Sequence, residues 1–307
     1  MNANDSVRDI PLAGHAGEMT VPDFIYNRFD LLDGSDARLL CLEAEEERYA
    51  VPARLSGRRV ELGLWMAKLP EAAWEKLVAH AFSTFKGAEV ISYQNALSAC
   101  GDVRRTNHFS IDLPEDPEKL GARLSAKGRY NIRRERRLLD EAVGGLALKE
   151  YARDDVPEDV IERYFEMKLK THDMHYRMSA REYLEAYHIT HVYVLCSESE
   201  VIAEVMSCEQ CPVVYIENLT YNQEYARYSP GQVIYDMYLR RLCEKGKRAL
   251  YLGGGQLDYK RRYGSKEDEV CFGETYRNGW VRRKYALKQA LRDRLRRVYH
   301  RLRGLLR

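Results

Sequence analysis

The stretch that decides the fold is residues 213–263, which read VVYIENLTYNQEYARYSPGQVIYDMYLRRLCEKGKRALYLGGGQLDYKRRY. The runs at 213–221 and 249–252 predict strands, and the second of these ends in three glycines. The run at 230–245 between them predicts a helix. Because a long helix between two strands is typical of a crossover connection, we expect the two strands to be parallel neighbours.

Upstream of that stretch, residues 191–196 and 201–208 predict two strands. Short turns join these strands to each other and to the strand at 213–221. Short connections favour antiparallel pairing, so the three strands are expected to form a meander. Two helices precede it. One covers residues 156–172, and the other begins at Ser179, where Glu182 is placed to complete a capping box.

A basic helical stretch lies further upstream. Residues 116–143 predict one helix, or two with a break near Gly128, and Gly144 and Gly145 end it as glycine does at helix C-termini. The first part of the chain has a predicted helix at 70–85 and a set of strand-like runs. These runs are 38–42, 48–53, 59–65, 89–93 and 108–113, and further strands are expected at 146–151 and 269–276.

The composition is that of a globular protein. The chain has 307 residues, 45% of them hydrophobic and 31% charged, which suits a buried core in one large domain or two smaller ones. Apolar runs are too short for a membrane span, and the polar N-terminus lacks the layout of a secretory signal. Seven cysteines, an odd number, do not suggest a disulfide framework. These observations predict a cytoplasmic protein with a partly ordered lead-in up to about residue 36.

Charge is distributed unevenly. Residues 281–307 carry eleven Lys or Arg and one acid, whereas the other 280 residues carry 38 basic and 46 acidic side chains. The tail also has an apolar stripe at helical spacing, formed by Leu287, Leu291, Leu295, Val298, Leu302 and Leu305. We consider three roles for this helix: packing on the protein body, peripheral contact with the inner face of a membrane, and contact with RNA phosphates.

The order of these elements resembles the GNAT superfamily of N-acyltransferases. Three segments resemble its CelD-like members: LGARLSAKGRYNIRRERRLL at 120–139, the strand, YSPG turn and helix at 215–241, and the glycine-ended strand with a Tyr-Lys pair at 251–263. Together they span roughly half of the chain. CelD-like proteins are associated with exopolysaccharide and cell-envelope pathways. The related Fem-type enzymes use aminoacyl-tRNA in place of acyl-CoA.

The resemblance implies a mixed α/β fold and a division into three parts. We expect an N-terminal α/β domain at residues 1–115, in which a degenerate copy of the GNAT-like fold is an option. A GNAT-like acyltransferase domain is expected at 116–280, and a basic amphipathic helix at 281–307.

The resemblance also implies an acyl-CoA site, with acetyl-CoA the first candidate for the donor. Members of this fold bind the pantetheine arm between two parallel strands that diverge, here 213–221 and 249–252. The pyrophosphate then lies at the start of the helix near Pro230, where free N–H groups and the helix dipole favour an anion. The residues expected to bind it are Arg227, Tyr228, Ser229, Gly231 and Gln232. Ser229 is expected to act as N-cap. In the alternative interpretation, Ser-Pro-Gly only starts a helix.

Three residues are candidates for catalysis. Transfer of an acyl group to an amine requires a base that deprotonates the acceptor and an acid that protonates the leaving thiolate. Glu217 is the candidate base, and the resemblance implies Tyr259 as the acid. Lys260 is expected to stabilise the oxyanion or to hold a phosphate. The alternatives are a solvated strand residue for Glu217, a packing tyrosine for Tyr259 and a surface lysine for Lys260.

No metal cofactor is expected. The pair Cys208 and Cys211 has the spacing of a zinc or redox site but falls at a predicted hairpin turn, without a second pair at ligand spacing. The predicted function is N-acyl transfer from acyl-CoA to an amine, such as an amino sugar or an envelope precursor. Two alternatives remain open: an aminoacyl-tRNA-dependent Fem-type transferase, and a catalytically inactive, membrane-associated binding protein of the same fold.

Overall fold

The computed structural model describes residues 8–10, 37–44, 47–172, 178–198, 200–210, 212–254 and 258–305. Apart from 8–10, the predicted lead-in before residue 37 lies outside these ranges. The strands are β1 (Arg8–Ile10), β2 (Ala37–Ala44), β3 (Glu47–Ser56), β4 (Arg59–Leu62), β5 (Val90–Ala96), β6 (Asp102–Asp112), β7 (Ala147–Ala152), β8 (His191–Cys196), β9 (Val201–Gln210), β10 (Val213–Tyr221), β11 (Ala249–Gly254) and β12 (Lys266–Tyr276).

The α-helices are α1 (Glu71–Thr84), α2 (Pro117–Ala122), α3 (Ala126–Val143), α4 (Glu158–His172), α5 (Ala180–Ala186), α6 (Pro230–Glu244) and α7 (Gly279–Leu305). Short 3-10 helices cover Arg153–Asp155, Gln223–Tyr228 and Asp258–Arg261. These elements confirm the predicted mixed α/β class. β8 and β10 have the bounds that the sequence predicted.

The chain forms two compact units. The first contains Met1–Arg105 together with Val270–Arg307, and the second contains Thr106–Glu269. This division falls at different residues from the predicted boundaries at 115 and 280. The C-terminal segment belongs to the first unit because β12 pairs with β5, so its place is set by pairing between distant parts of the sequence.

The second unit is a mixed sheet with the strand order β6-β11-β10-β9-β8-β7. Strands β7 to β10 pair antiparallel in succession, which confirms the predicted meander. β10 and β11 are parallel, as predicted for a crossover through α6. Buried residues of α3 and α6 form a core with one face of the sheet. Residues of α4 and α5 form a second core with the other face.

In the first unit the strand order is β1-β2-β3-β4-β5-β12. β4 and β5 are parallel and are connected by α1, whose buried Trp74 and Leu77 lie in a core with strand residues such as Val60 and Ile91. This unit therefore also contains a strand, helix and parallel strand. That it is a degenerate copy of the second unit stays a prediction.

The break in the basic helical stretch lies earlier than expected. α2 ends at Ala122 and α3 begins at Ala126, with Ser125 as N-cap: its Oγ accepts a hydrogen bond from the Gly128 N–H at 3.1 Å. Gly128 is thus in the first turn of α3 and not at the break, because the serine cap fixes where a helix starts. The capping box at Ser179 and Glu182 is confirmed.

The tail helix is packed on the body only at its beginning. Val281 is 4% exposed, whereas Leu287 is 72% exposed and Leu295 60%. Packing on the body, one of the three roles considered for this helix, is therefore seen in its described part only as far as Tyr285. Within the described residues, no helix is both long enough and apolar enough to cross a bilayer.

Candidate functional site

The parallel pair β10–β11 opens along its length. The two strands are in register at Val213–Ala249, Val214–Leu250 and Tyr215–Tyr251, and this pairing goes no further although both strands continue. The end of β11 pairs on its other side with β6, at Gly253–Phe109 and Gly254–His108. Beyond Tyr215 and Tyr251, β11 stays paired with β6 and β10 stays paired with β9, so the two parallel strands diverge.

A cavity of about 620 Å³ lies at this opening. Its walls come from the diverging strands and from the first turn of α6. They include Tyr215, Glu217 and Leu219 of β10, Leu252, Gly253 and Gly254 of β11, and Ser229, Gly231 and Gln232 at the helix start. Of the eight predicted site residues, five line this cavity: Glu217, Lys260, Ser229, Gly231 and Gln232.

The start of α6 differs in detail from the expectation. Ser229 is the N-cap residue, but it has a φ of 53°, and its side chain makes no capping hydrogen bond. Burial raises the pKa of Glu135, a carboxyl of α3 near this helix start, and the hydroxyl of Ser229 acts on that pKa in the opposite direction. A Cβ built on Gly231 would lie 3.1 Å from Cδ1 of Tyr221. Glycine at this position therefore lets the Tyr221 ring pack against the helix start.

The cation at the helix start is Arg262, whereas the sequence prediction was Arg227. Arg227 is exposed and lies over the ring of Tyr228, 4.6 Å from its centroid, and neither residue is among those that line the cavity. Arg262 lines the cavity and donates a hydrogen bond to Oε1 of Gln232. The sequence could have indicated Arg262, because it lies two residues after Lys260 of the Tyr-Lys pair.

Glu217 lies where β10 is irregular. The register with β9 shifts between Ile216 and Asn218, so Glu217 occupies a bulge in the strand. A bulge redirects the side chain relative to the regular alternation. The carboxylate is half-buried and lines the cavity, in contrast to the alternative of a fully solvated strand residue.

Lys260 is buried at the base of the cavity. The residue is 4% exposed, and its Nζ donates to the carbonyl oxygen of Gly253 at 3.3 Å and to that of Gly254. Burial lowers the pKa of Lys260 to about 8. The alternative of a plain surface lysine is therefore wrong. The side chain of Tyr259, the candidate acid, lies outside the described residues.

Two further buried groups were missed by the sequence reasoning. His108, on β6, is 1% exposed, and burial together with the charge of Lys260 lowers its pKa to about 4, so its ring is neutral at physiological pH. Lys168, on α4, lines the cavity and donates to the carbonyl oxygen of Leu219 at 3.5 Å. Burial lowers its pKa as well. Neither residue has a local sequence signal, because each comes from an element distant in the chain.

A second, smaller cavity of about 310 Å³ lies between α2, α3 and α6. Four arginines line it: Arg129, Arg133, Arg136 and Arg240. Arg240 is neutralised by Asp236 at 3.0 Å and by Glu118 at 2.9 Å. Ile132 lines both cavities, so the arginine-rich cavity adjoins the one at the diverging strands.

One group has the geometry of metal ligands. Glu150, His191 and Glu209 place a ligand atom each within 4.8 Å of one another. Two ammonium groups contact the same carboxylates: Nζ of Lys245 lies 2.9 Å from Glu209 and also pairs with Glu150, and Nζ of Lys247 lies 3.1 Å from Glu209. These lysines already balance the acidic charge, so we assign the cluster a structural role.

Part of the chain matches a known protein family. Residues 126–261 match the family model described as an acetyltransferase (GNAT) domain. A search of curated proteins found no match.

Several solved structures are similar to this chain. One is the C-terminal domain (DUF2156) of a protein from Agrobacterium fabrum assigned as a lysylphosphatidylglycerol synthetase, with 16% identity, a TM-score of 0.53, and coverage of 86% of this chain and 89% of that one. FemX is similar at 9% identity and a TM-score of 0.55, with 76% and 87% covered. L-PGS from Bacillus licheniformis is similar at 13% identity and a TM-score of 0.51, with 79% and 85% covered. Identities this low establish the shared fold and nothing finer. The match over residues 126–261 supports an acyltransferase with an acetyltransferase (GNAT) domain in that part of the chain.

Proposed function

We propose that the protein transfers an acyl group from an acyl-CoA, acetyl-CoA first among them, to an amine. The single observation that carries this proposal is the divergence of β10 and β11 beyond Tyr215 and Tyr251, with a cavity at the opening. Diverging strands present backbone groups that no neighbouring strand uses, so a pantetheine arm can bind there much as an added strand does.

The start of α6 suits the pyrophosphate of the donor. It borders the same cavity, has no acidic residue in its first turn, and has the guanidinium of Arg262 beside Gln232. N–H groups at a helix start and the helix dipole favour an anion. The hydrogen bond from Arg262 to Gln232 orients the cation toward this position.

Two polar residues of the cavity, Glu217 and Lys260, have a place in the transfer. The amine nitrogen attacks the thioester carbonyl carbon, and Glu217 accepts the proton that the amine loses. The ammonium of Lys260 has three N–H donors, two of which are directed to the carbonyls of Gly253 and Gly254. Among the described residues no acceptor is assigned to the third donor, and we give it the role of stabilising the negative charge on the carbonyl oxygen. The C–S bond then breaks, and the leaving thiolate takes a proton from a general acid. We assign the role of this acid to Tyr259.

We propose an amino sugar or another cell-envelope precursor as the acceptor. This proposal follows from the CelD-like segments at 120–139, 215–241 and 251–263. It is tested by supplying acetyl-CoA with a panel of amino sugars and simple amines and measuring thiol release. Release with amino sugars alone would support it, whereas release with simple amines alone would contradict it.

Calorimetric titration with acetyl-CoA and longer acyl-CoAs tests the donor site. We expect saturable binding that is about tenfold weaker in Arg262→Gln, because a charge-assisted hydrogen bond to phosphate is lost. Arg262 is a better probe than Gly231, since a side chain at Gly231 would displace Tyr221 whether or not donor binds.

Arg261→Gln is the matched control. Arg261 is the adjacent residue with the same charge, but it pairs with Glu267 at 3.4 Å, lies over the ring of Phe109, and is not among the residues that line the cavity. Equal weakening in both variants would mean that overall charge, and not this site, attracts the donor. Absence of binding to every acyl-CoA would overturn the proposed donor.

The arginine-rich cavity favours a second candidate, an aminoacyl-tRNA donor as in Fem-type enzymes. Arg133 and Arg136 are exposed on α3 and line the cavity that adjoins the first one at Ile132. Phosphates of a tRNA would contact such a surface with a strong dependence on salt. If Arg133→Gln with Arg136→Gln removes tRNA binding, and acyl-CoA does not bind the unchanged protein, the donor is aminoacyl-tRNA.

A further inference from the structure

The tail helix α7 is held at one end. Asn278 caps it through Oδ1, which accepts from the Val281 N–H at 3.0 Å, and Val281 is buried. Arg282 pairs with Asp102 at 2.7 Å, and Lys284 pairs with Glu89 at 2.8 Å. These contacts fix the first two turns of a helix that is about 40 Å long.

Beyond these turns the helix is exposed. Every residue from 286 to 299 is exposed, including the large apolar ones. Leu287, Leu291, Leu295 and Val298, which we call the apolar stripe, are 72%, 59%, 60% and 48% exposed. At 3.6 residues per turn they lie along one side of the helix, and Trp280, which is 69% exposed, lies on the same side seven residues before Leu287. Contiguous apolar surface of this kind marks an interaction site.

Charge surrounds the apolar stripe. By the same helical geometry, Lys288 and Arg292 flank it on one side and Arg294 on the other, while Arg296 and Arg297 lie on the remaining faces. Over the residues 286–299 the only acidic side chain is Asp293. An apolar stripe between rows of long basic side chains is the pattern of a helix that lies in the plane of a bilayer surface.

We propose that α7 binds the surface of an anionic lipid bilayer, with the apolar stripe inserted among the acyl chains and the basic side chains on the lipid headgroups. Leucines gain free energy from leaving water, and arginines next to them reach anionic phosphates through their flexible stems. Trp280 is placed at headgroup depth, where tryptophan is favoured in membrane proteins.

Two other occupants fit the helix less well. A second copy of α7 would cover the apolar stripe, but it would bring two rows of basic side chains together without acidic partners. An RNA would match the charges, but it would leave the apolar stripe in water. A bilayer that contains anionic lipid satisfies both features at once.

The test uses the full chain with vesicles of phosphatidylcholine alone and of phosphatidylcholine with phosphatidylglycerol. Trp280 serves as the reporter, because the other two tryptophans, Trp65 and Trp74, are buried at 8% and 3% exposure. We expect co-sedimentation and a blue shift of tryptophan emission only with the anionic vesicles. In Leu291→Gln with Leu295→Gln, the partition coefficient is expected to fall about tenfold for each leucine.

Gln289→Ser, on the opposite side of the same helix, is the matched control and is expected to leave the partition coefficient unchanged. The unfolding midpoint of the stripe variant is also expected to stay unchanged, since its leucines are already exposed. Failure of the unchanged protein to bind anionic vesicles would overturn the proposal. So would a lipid-free dimer that the stripe variant dissociates, or binding of RNA alone. None of these readouts involves acyl transfer, so the result is independent of the donor site.

Discussion

Two parallel strand pairs in the described part of the chain, β4–β5 and β10–β11, are each connected through a helix but differ in how far they stay paired. All four residues of β4 are in register with β5, from Arg59–Val90 to Leu62–Tyr93. β10 has nine residues, of which only the first three are in register with β11. A cavity of about 630 Å³ also lies beside β4 and β5, so the presence of a cavity does not distinguish the two pairs. What distinguishes them is the divergence of β10 from β11, which leaves the backbone groups that face the opening without a partner strand, and the proposed donor site depends on that difference.

The helices that connect the two pairs differ at their starts. α1 follows Pro70 and has Glu71 in its first turn, where a carboxylate complements the helix dipole. α6 has no acid in its first turn, and Arg262 lies beside it. An acid in the first turn disfavours a phosphate at the start of α1. The acid near the start of α6 is Glu135 of α3, and because burial raises the pKa of that carboxyl, its negative charge is disfavoured there.

The largest expected effect comes from the acid on the diverging strand. Glu217→Gln is expected to lower the rate of acyl transfer by about 10²- to 10⁴-fold, because an amide cannot accept the proton of the amine. Acyl-CoA affinity should be unchanged in calorimetry. Glu61→Gln is the control on β4, the corresponding strand of the other pair, where Glu61 pairs with Arg54 at 3.2 Å. An equal loss of activity in both variants would contradict the assignment of Glu217 as the catalytic base.

The second effect concerns the buried ammonium at the diverging pair. Burial lowers the pKa of Lys260 in the folded protein to about 8, from the ordinary lysine value of 10.5. Between these two values the unfolded chain binds more protons, so the free energy of unfolding rises with pH through this window. Below about pH 8 the full cost of burying the charge is present. We expect a gain of about 2 kcal/mol between about pH 7 and about pH 10, measured by urea unfolding.

In Lys260→Met, the rise in the free energy of unfolding between about pH 7 and about pH 10 is expected to disappear. Lys266→Met is the control, because Lys266 is exposed and the hydrogen bond to Asp112 raises its pKa. A raised lysine pKa makes the free energy of unfolding fall with rising pH, the opposite of the change expected from Lys260. An equal pH slope in the unchanged protein and in Lys260→Met would show that the ammonium is solvated.

The smallest effect tests the helix starts directly. Gln232→Glu gives α6 an acid in its first turn, like Glu71 of α1, and should raise the dissociation constant of acyl-CoA about tenfold through repulsion of the pyrophosphate. Glu71→Gln, the reverse change in α1, is expected to leave that constant unchanged. Unaltered affinity in Gln232→Glu would place the pyrophosphate away from the start of α6.

Much of the fold was predictable because its signals are local. The bounds of β10 follow from a run of strand-forming residues between turns, and the start of α6 follows from Pro230 after a serine. The same local patterns led to Glu217, Lys260 and the SPG turn as candidates. The misplaced break near Gly128 shows the limit of such signals, since a serine that caps a helix outweighed the glycine three residues later.

What the sequence determined by itself is the order of strands and helices, the basic amphipathic tail and the short motifs of an acyltransferase, because periodicity, capping and composition act over a few residues. Only the tertiary structure decided that β10 leaves β11 after Tyr215, that Lys260 is buried beside His108, that Arg262 and not Arg227 adjoins the helix start, and that the stripe of α7 faces water. Strand divergence, desolvation and exposure depend on which distant segments come together, and no local pattern records that.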